Sequence, residues 1–274
     1  MSFDRIIYRL TDKRIPAATG IGLVGDILDN AGFQEQFSKV RSEDKRSRKQ
    51  IDCGAIMTSF IGLLCMGKPD FEAIAEFKND AAYYQTALHL KKGFPSAATL
   101  RQRMDEIGKT QREQLLDFNA RLLKSNHVEP TALKNGTIPL DMDVTPMDNS
   151  NTKKEGVSFT YKKFGECEQF HSEIKTDMGV ERLPSGKFDT NELVLKLTMI
   201  AYNILRMLGQ KTVNQGKAPA KRIVSRKRIR TVIQNIIHFA GQLTRHARKL
   251  FLSISRSNAW ADAFLGLAHR FAPC

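Results

Sequence analysis

About two dozen residues separate Asp143 from Glu168, and that interval limits what can be built between them. The stretch Thr137 to Thr145 alternates. Ile138, Leu140, Met142 and Val144 point one way, and Thr137, Asp141, Asp143 and Thr145 point the other, which reads as a strand burying one face. Asp148-Asn149-Ser150-Asn151 is turn chemistry, and Val157 to Phe164 reads as a second strand. From Gly165 the period becomes helical, with Cys167, Phe170, Ile174 and Met178 as the expected buried stripe. Each further strand with its connection takes roughly ten residues. The interval therefore has no room for a multistranded sheet between the acidic strand and the helix.

The acids on these two elements suggest metal chemistry. Asp141 and Asp143 share a strand face, about 6.6 Å apart along it. Carboxylates in a partly buried sheet need a partner, and a divalent cation with a preference for oxygen is one. A strand-end Asp capping a loop through Asp148 and Asn149 would present the same Asp-x-Asp pattern. On the helix, Glu168, Ser172 and Lys175 share a face, because seven residues make nearly two turns. Glu168 could close a metal site, and Lys175, about 10.5 Å further along the axis, could hold a phosphate. The competing reading is a solvated, salt-bridged helix face running on to Asp177. His171 stands four residues from Cys167, but no second ligand pair accompanies them, so zinc is not indicated.

The charge balance names the partner class. The net charge is +14 and the pI about 9.7, and a chain this basic usually meets a polyanion. Between Lys211 and Arg256 stand Lys211, Lys217, Lys221, Arg222, Arg226, Lys227, Arg228, Arg230, Arg245, Arg248, Lys249 and Arg256, with no Asp or Glu among them. A one-sided run of this kind repels itself unless phosphates neutralise it. Cys53, Cys65, Cys167 and Cys274 form no CxxC pair, which fits free thiols in a reducing cytoplasm rather than a disulfide framework. The N-terminus opens no signal peptide, and the longest apolar run, Ile56 to Met66, is too short to span a bilayer.

Helical periodicity dominates the N-terminal part from Ile21 to about Gly108. Asp70 is placed to cap a helix carrying Phe71, Ile74, Ala75 and Phe77, and Ser96 to cap one over Ala97 to Ile107. The second of these carries Arg101, Gln102 and Arg103 near its start, residue types that can enter a DNA major groove. It is also an ordinary amphipathic helix, with Leu100, Met104 and Ile107 facing a core. A further helix is expected from about Lys109 to Asn126. Asn191 to Leu208 gives the strongest helix, with Leu193, Val194, Leu197, Ile200, Ala201, Ile204, Leu205 and Leu208 on one face. The basic tail reads as a helix (about Arg226 to Phe239), a strand-like run (Ala247 to Ser255) and a last helix near Ala259 to His269.

Together these residues resemble the DDE transposases of bacterial insertion sequences. Leu140-Asp141-Met142-Asp143-Val144-Thr145, the loop Thr152-Lys153-Lys154-Glu155-Gly156-Val157 and Tyr161-Lys162 look like the first part of that catalytic domain. Glu168, six residues, then Lys175 is similar to the end of the group's Tyr–Arg–Glu–Lys signature. Asn191 through Arg206 and the basic tail look like its C-terminal part, and Pro95 to Arg103 resembles its DNA-binding region. The resemblance implies an RNase H-like fold in which two Asp and one Glu hold two Mg²⁺ (or Mn²⁺) ions for strand cleavage and transfer. Carried over, Asp143 matches the first Asp with Asp141 as the fallback, Glu168 the Glu and Lys175 the Lys. The signature Arg is replaced by Phe164, and no second Asp stands between Asp143 and Glu168, so the resemblance implies an internal deletion near Phe164-Gly165 and impaired catalysis.

The resulting expectation is a predominantly helical α+β chain. A helical DNA-binding region (residues 1–130) precedes an incomplete RNase H-like catalytic domain with a basic C-terminal part (residues 131–274). Expected catalytic residues are Asp143, Glu168 and Lys175, and expected metal ligands are Asp143, Glu168 and Asp141. DNA contacts are expected from Arg101, Gln102, Arg103, Lys153, Lys154, Arg226, Lys227, Arg228 and Arg230. Double-stranded DNA and a second copy of the chain are the expected partners, at the nucleoid in a bacterial cytoplasm. The rival is a non-enzymatic DNA-binding remnant; a nuclease of another class would require acids not found.

Overall fold

The computed structural model describes residue 13 and residues 15–38, 51–110, 114–128, 169–219, 224–247 and 249–272. The expected strands at Thr137–Thr145 and Val157–Phe164, and with them Asp141, Asp143, Lys153, Lys154 and Glu168, lie outside the described residues. What is described is mostly helical, with one small antiparallel sheet, an α+β composition.

Two helices form the centre. α3 (Cys53–Cys65) follows α1 (Ile21–Asn30) and α2 (Phe33–Ser38), and every one of its residues is buried. Asp52 caps it, its carboxylate accepting from the Ala55 N–H at 2.8 Å. A helix buried on every side has no face for water and must be surrounded. α1, α2, α5 (Ala97–Gly108) and the long α7 (Phe188–Asn214) surround it. α7 runs for 27 residues, about 40 Å. The eight residues of the Leu193–Leu208 face expected to be apolar are all buried. Cys53 and Cys65 are buried thiols, and burial pushes the Cys65 thiol well above its ordinary pKa.

The caps read from the sequence are present. The Ser96 hydroxyl accepts from the Thr99 N–H at 3.2 Å at the start of α5, and the Asp70 carboxylate accepts from the Glu72 N–H at 3.2 Å. The element after Asp70 is a 3-10 helix (Phe71–Lys78) rather than an α-helix. Phe71, Ile74 and Phe77 recur every three residues, and the tighter winding of a 3-10 helix buries all three on one side. α4 (Ala81–Ala87) then packs on α1 so closely that a Cβ at Gly25 would lie 1.8 Å from the Ala87 carbonyl oxygen. α6 (Gln114–Ser125) packs on α7, where Asn203 Nδ2 donates to Asn119 Oδ1 at 2.9 Å.

The basic tail closes back onto the start of the chain. α8 (Ile229–Val232) widens into a π-type turn over Ile233–Ile237, marked by the His238 N–H donating to the Ile233 carbonyl. Thr19 N–H donates to the Phe239 carbonyl and Gly20 N–H to the Ile237 carbonyl. A Cβ at Gly20 would lie 1.9 Å from the Ile236 carbonyl oxygen, so only glycine permits this approach. β1 (Gln242–His246) and β2 (Lys249–Ser253) form the antiparallel pair, and α9 (Ala261–Phe271) packs on α1 and α7.

Candidate functional site

Gln169 to Ser172 is helical, and the backbone then widens into a π-type turn over Glu173–Asp177, with the Met178 N–H donating back to the Glu173 carbonyl. The extra residue in the turn changes which side chains face inward. A regular helix would bury Phe170 and Ile174. Here Phe170 is 38% exposed, Ile174 is half-buried, and Glu173 is the side chain that enters the interior, at 1% exposed.

A buried carboxylate needs donors, and Glu173 has three. The Tyr202 hydroxyl on α7 donates to Oε2 at 2.8 Å, Arg226 Nη1 donates to the same oxygen at 3.2 Å, and the Ile229 N–H donates to Oε1 at 3.3 Å. Burial, followed by the bond to Glu173, holds the Tyr202 hydroxyl far above its ordinary pKa. Asp177, one turn on, accepts from Arg228 Nε at 2.8 Å, from Arg228 Nη2 at 3.0 Å and from the Arg230 N–H at 3.1 Å. Arg226 also lies over the Phe170 ring at 5.1 Å and donates to Gln169 Oε1 at 2.9 Å. Arg206 on α7 donates to the Lys227 carbonyl at 3.0 Å, and burial pulls its guanidinium below its usual range. Two carboxylate–arginine links thus staple the Gln169–Asp177 segment to the Arg226–Arg230 segment.

Lys175 points the other way and is exposed between the two inward acids. The cluster remains positive. Lys175, Arg226, Lys227, Arg228 and Arg230 against Glu173 and Asp177 leave a net charge of +3. Of these residues, Arg228 keeps 52% of its side chain exposed despite its bond, Lys227 lies over Trp260 at 5.3 Å, and Arg230 is exposed. Neither acid beside Lys175 fits a divalent ion, because both are neutralised by arginine and backbone N–H groups. Among the described residues no cluster of three or more His, Cys, Asp or Glu side chains could hold a metal. The expected ligands Asp141, Asp143 and Glu168 lie outside those residues.

At the N-terminal candidate, Arg101 and Gln102 stand exposed near the start of α5, with Arg101 Nη2 donating to Glu72 Oε1 at 2.7 Å. Arg103 is different: it is 7% exposed, with Nη1 on Glu106 Oε2 at 2.9 Å and Nη2 on the Cys53 sulfur at 3.2 Å. Its position on the helix turns it toward α3, so its guanidinium is engaged in packing and not presented outward.

The buried Glu173–Tyr202–Arg226 junction was missed by periodicity. A Glu in the middle of an amphipathic segment reads as solvent-facing, and its partners stand 29 and 53 positions away, beyond any local signal.

Residues 144–274 match the family described as Transposase DDE domain group 1. The match supports a DDE transposase domain over this region. Glu168 and Lys175 fall within the matched residues, whereas Asp141 and Asp143 stand just before them. No curated protein and no solved structure matches the chain. Among the described residues no helix is long and apolar enough to cross a membrane.

Proposed function

We propose that the chain is an insertion-sequence transposase, internally shortened, that binds the ends of its element and retains little or no strand-transfer activity. The match of residues 144–274 to the DDE domain carries this reading. DDE chemistry is metal-dependent phosphodiester cleavage and joining, in which divalent ions activate the attacking oxygen and stabilise the leaving one. Asp143 (or Asp141) and Glu168 are the residues proposed to hold Mg²⁺ or Mn²⁺, with Lys175 on a neighbouring phosphate. The exposure of Lys175, on a segment fixed by Glu173 and Asp177, supports that role. Duplex DNA is the proposed partner for Arg101 and Gln102 on the helical side and for Lys153, Lys154, Arg226, Lys227, Arg228 and Arg230 on the DDE side. The proposed catalytic fold is a partial RNase H-like domain preceded by a helical DNA-binding region, acting as a homo-oligomer on paired ends.

The second reading, a non-enzymatic DNA-binding remnant, is favoured by the short interval between Asp143 and Glu168, which leaves no place for a second Asp. One experiment serves both. Purified full-length chain is titrated with duplexes carrying the element's ends at increasing salt, then incubated with Mg²⁺ or Mn²⁺ and assayed for cleavage. Affinity that falls steeply with salt is expected from counterion release. A flat salt response would reject both readings. Robust metal-dependent cleavage would reject impairment and the remnant alike; where cleavage is absent, titration with Mg²⁺ or Mn²⁺ separates the two, tight binding being expected only of the first reading.

A further inference from the structure

The β1–β2 ribbon has two chemically distinct faces. In the observed register Leu243 pairs with Leu252 and Arg245 with Leu250, while Gln242 pairs with Ser253, Thr244 with Phe251 and His246 with Lys249. Directly opposed residues share a face. Of the first set Leu243 is buried and Leu250 and Leu252 lie against the core, while Arg245, near the end of the ribbon, is exposed. The second set forms the outward face, and all of it except half-buried Gln242 is exposed.

That outward face is unusual for a solvated ribbon. Gln242, Thr244, His246 and Ser253 offer hydrogen-bond donors and acceptors, Lys249 sits beside the turn, and Phe251 lies among them at 47% exposed. Arg245 adds charge at the tip, where Ala247 takes a left-handed φ of 47°. No Asp or Glu occurs anywhere from Leu193 to Ala261, so the ribbon and the chain on either side of it carry no acid. A single exposed aromatic ring is common on protein surfaces. Here it is centred on a face otherwise built from base-reading side-chain types and cations, without an acid. Two strands about 4.8 Å apart fit a major groove about 12 Å wide.

We propose that the outward face of the β1–β2 ribbon lies in the major groove of duplex DNA and reads its sequence. Phe251 rests on a thymine methyl, Gln242 and Thr244 reach base edges, and His246 and Lys249 meet the flanking phosphates. A glutamine can take adenine through two hydrogen bonds, and an aromatic ring distinguishes thymine by its methyl group alone. This inference rests on the reading that the chain acts on DNA, and adds where and how it reads sequence.

The test selects duplexes from a random-sequence pool with the full-length wild-type chain, then measures affinity for the selected duplex and for a copy with uracil replacing thymine. Wild type should lose about fourfold on the uracil duplex, the transfer free energy of one methyl group. F251A should bind both duplexes equally and select a pool without the thymine preference. K249A should weaken binding to all duplexes alike and lower the salt slope by about one phosphate. Phe251 is half in solvent, so F251A should unfold at the wild-type temperature; the uracil comparison on wild type stands even if it does not. An unchanged selected sequence with F251A, or indifference of wild type to the methyl, overturns the proposal. So does loss of self-association by F251A with no change in DNA preference, which would assign the ring to a protein contact. Failure of wild type to bind any duplex would reject the DNA reading itself, and is read before the variants are made.

Discussion

Replacing Glu173 by alanine should unfold this protein more readily than almost any other change at a charged position. Glu173 is 1% exposed and joins three elements: the π-type turn it sits on, α7 through Tyr202, and the basic segment through Arg226 and the Ile229 N–H. Without the carboxylate, the Tyr202 hydroxyl and the Ile229 N–H lose their acceptor, at about 1–3 kcal/mol each when water cannot replace it. Arg226 keeps 26% of its side chain exposed and can turn to solvent, so its loss is smaller than that of a fully buried pair. The expected destabilisation is about 3 kcal/mol, a large share of a typical 5–15 kcal/mol total. Glu173→Gln preserves one acceptor and the volume, and should cost about 1 kcal/mol. Urea denaturation followed by far-UV circular dichroism measures both, and Tyr202→Phe combined with Glu173→Gln should be less than additive because the two share one bond. A Glu173→Ala midpoint within about 0.5 kcal/mol of wild type, the range of ordinary surface changes, would refute the account of this junction.

Two further outcomes follow from particular contacts. Gly25→Ala places a Cβ against the Ala87 carbonyl, which must move with its helix; a loss of roughly 3 kcal/mol is expected by thermal or urea unfolding. His89 Nε2 meets Asp26 Oδ1 at 2.8 Å, and that bond, opposed by burial and assisted by Asp29, raises the imidazole pKa. Its stabilisation is therefore fully present below the unfolded value of about 6.5 and is lost as pH rises through the higher folded value. His89→Asn, which tolerates the left-handed backbone at this position (φ 52°), should lower stability at acidic pH and leave it nearly unchanged at alkaline pH. A difference that grows with pH would contradict the assignment.

The helices were legible wherever one periodic apolar face met one buried surface. α7, α3 and the Ser96 and Asp70 caps follow from side-chain spacing and local hydrogen bonding, which the sequence carries directly. Other features depend on partners distant in the chain. β1 contains one inward apolar residue, Leu243, and becomes a strand only because Lys249–Ser253 pairs with it. Glu173 is drawn inside by Tyr202 and Arg226, 29 and 53 positions away, which no local period can express. Arg103 looked like one of three adjacent outward basic or amide groups, yet the 100° step between neighbours on a helix sends it to the core beside Glu106 and Cys53. Of the catalytic residues expected from the resemblance, Lys175 is the one the structure describes, exposed and held on a segment whose own acids are already neutralised.

The joint between Thr19–Gly20 and Ile236–Phe239 has a consequence for synthesis. During translation α1 emerges some two hundred residues before the carbonyls that will receive the N–H groups of Thr19 and Gly20 at its start. Asn30, at the far end of that helix, waits longer still, because its side-chain amide donates to the carbonyl of Phe271. Both ends of α1 are therefore finished by residues more than two hundred positions downstream, and a product broken off before the basic tail would keep α1 without the contacts that seat it.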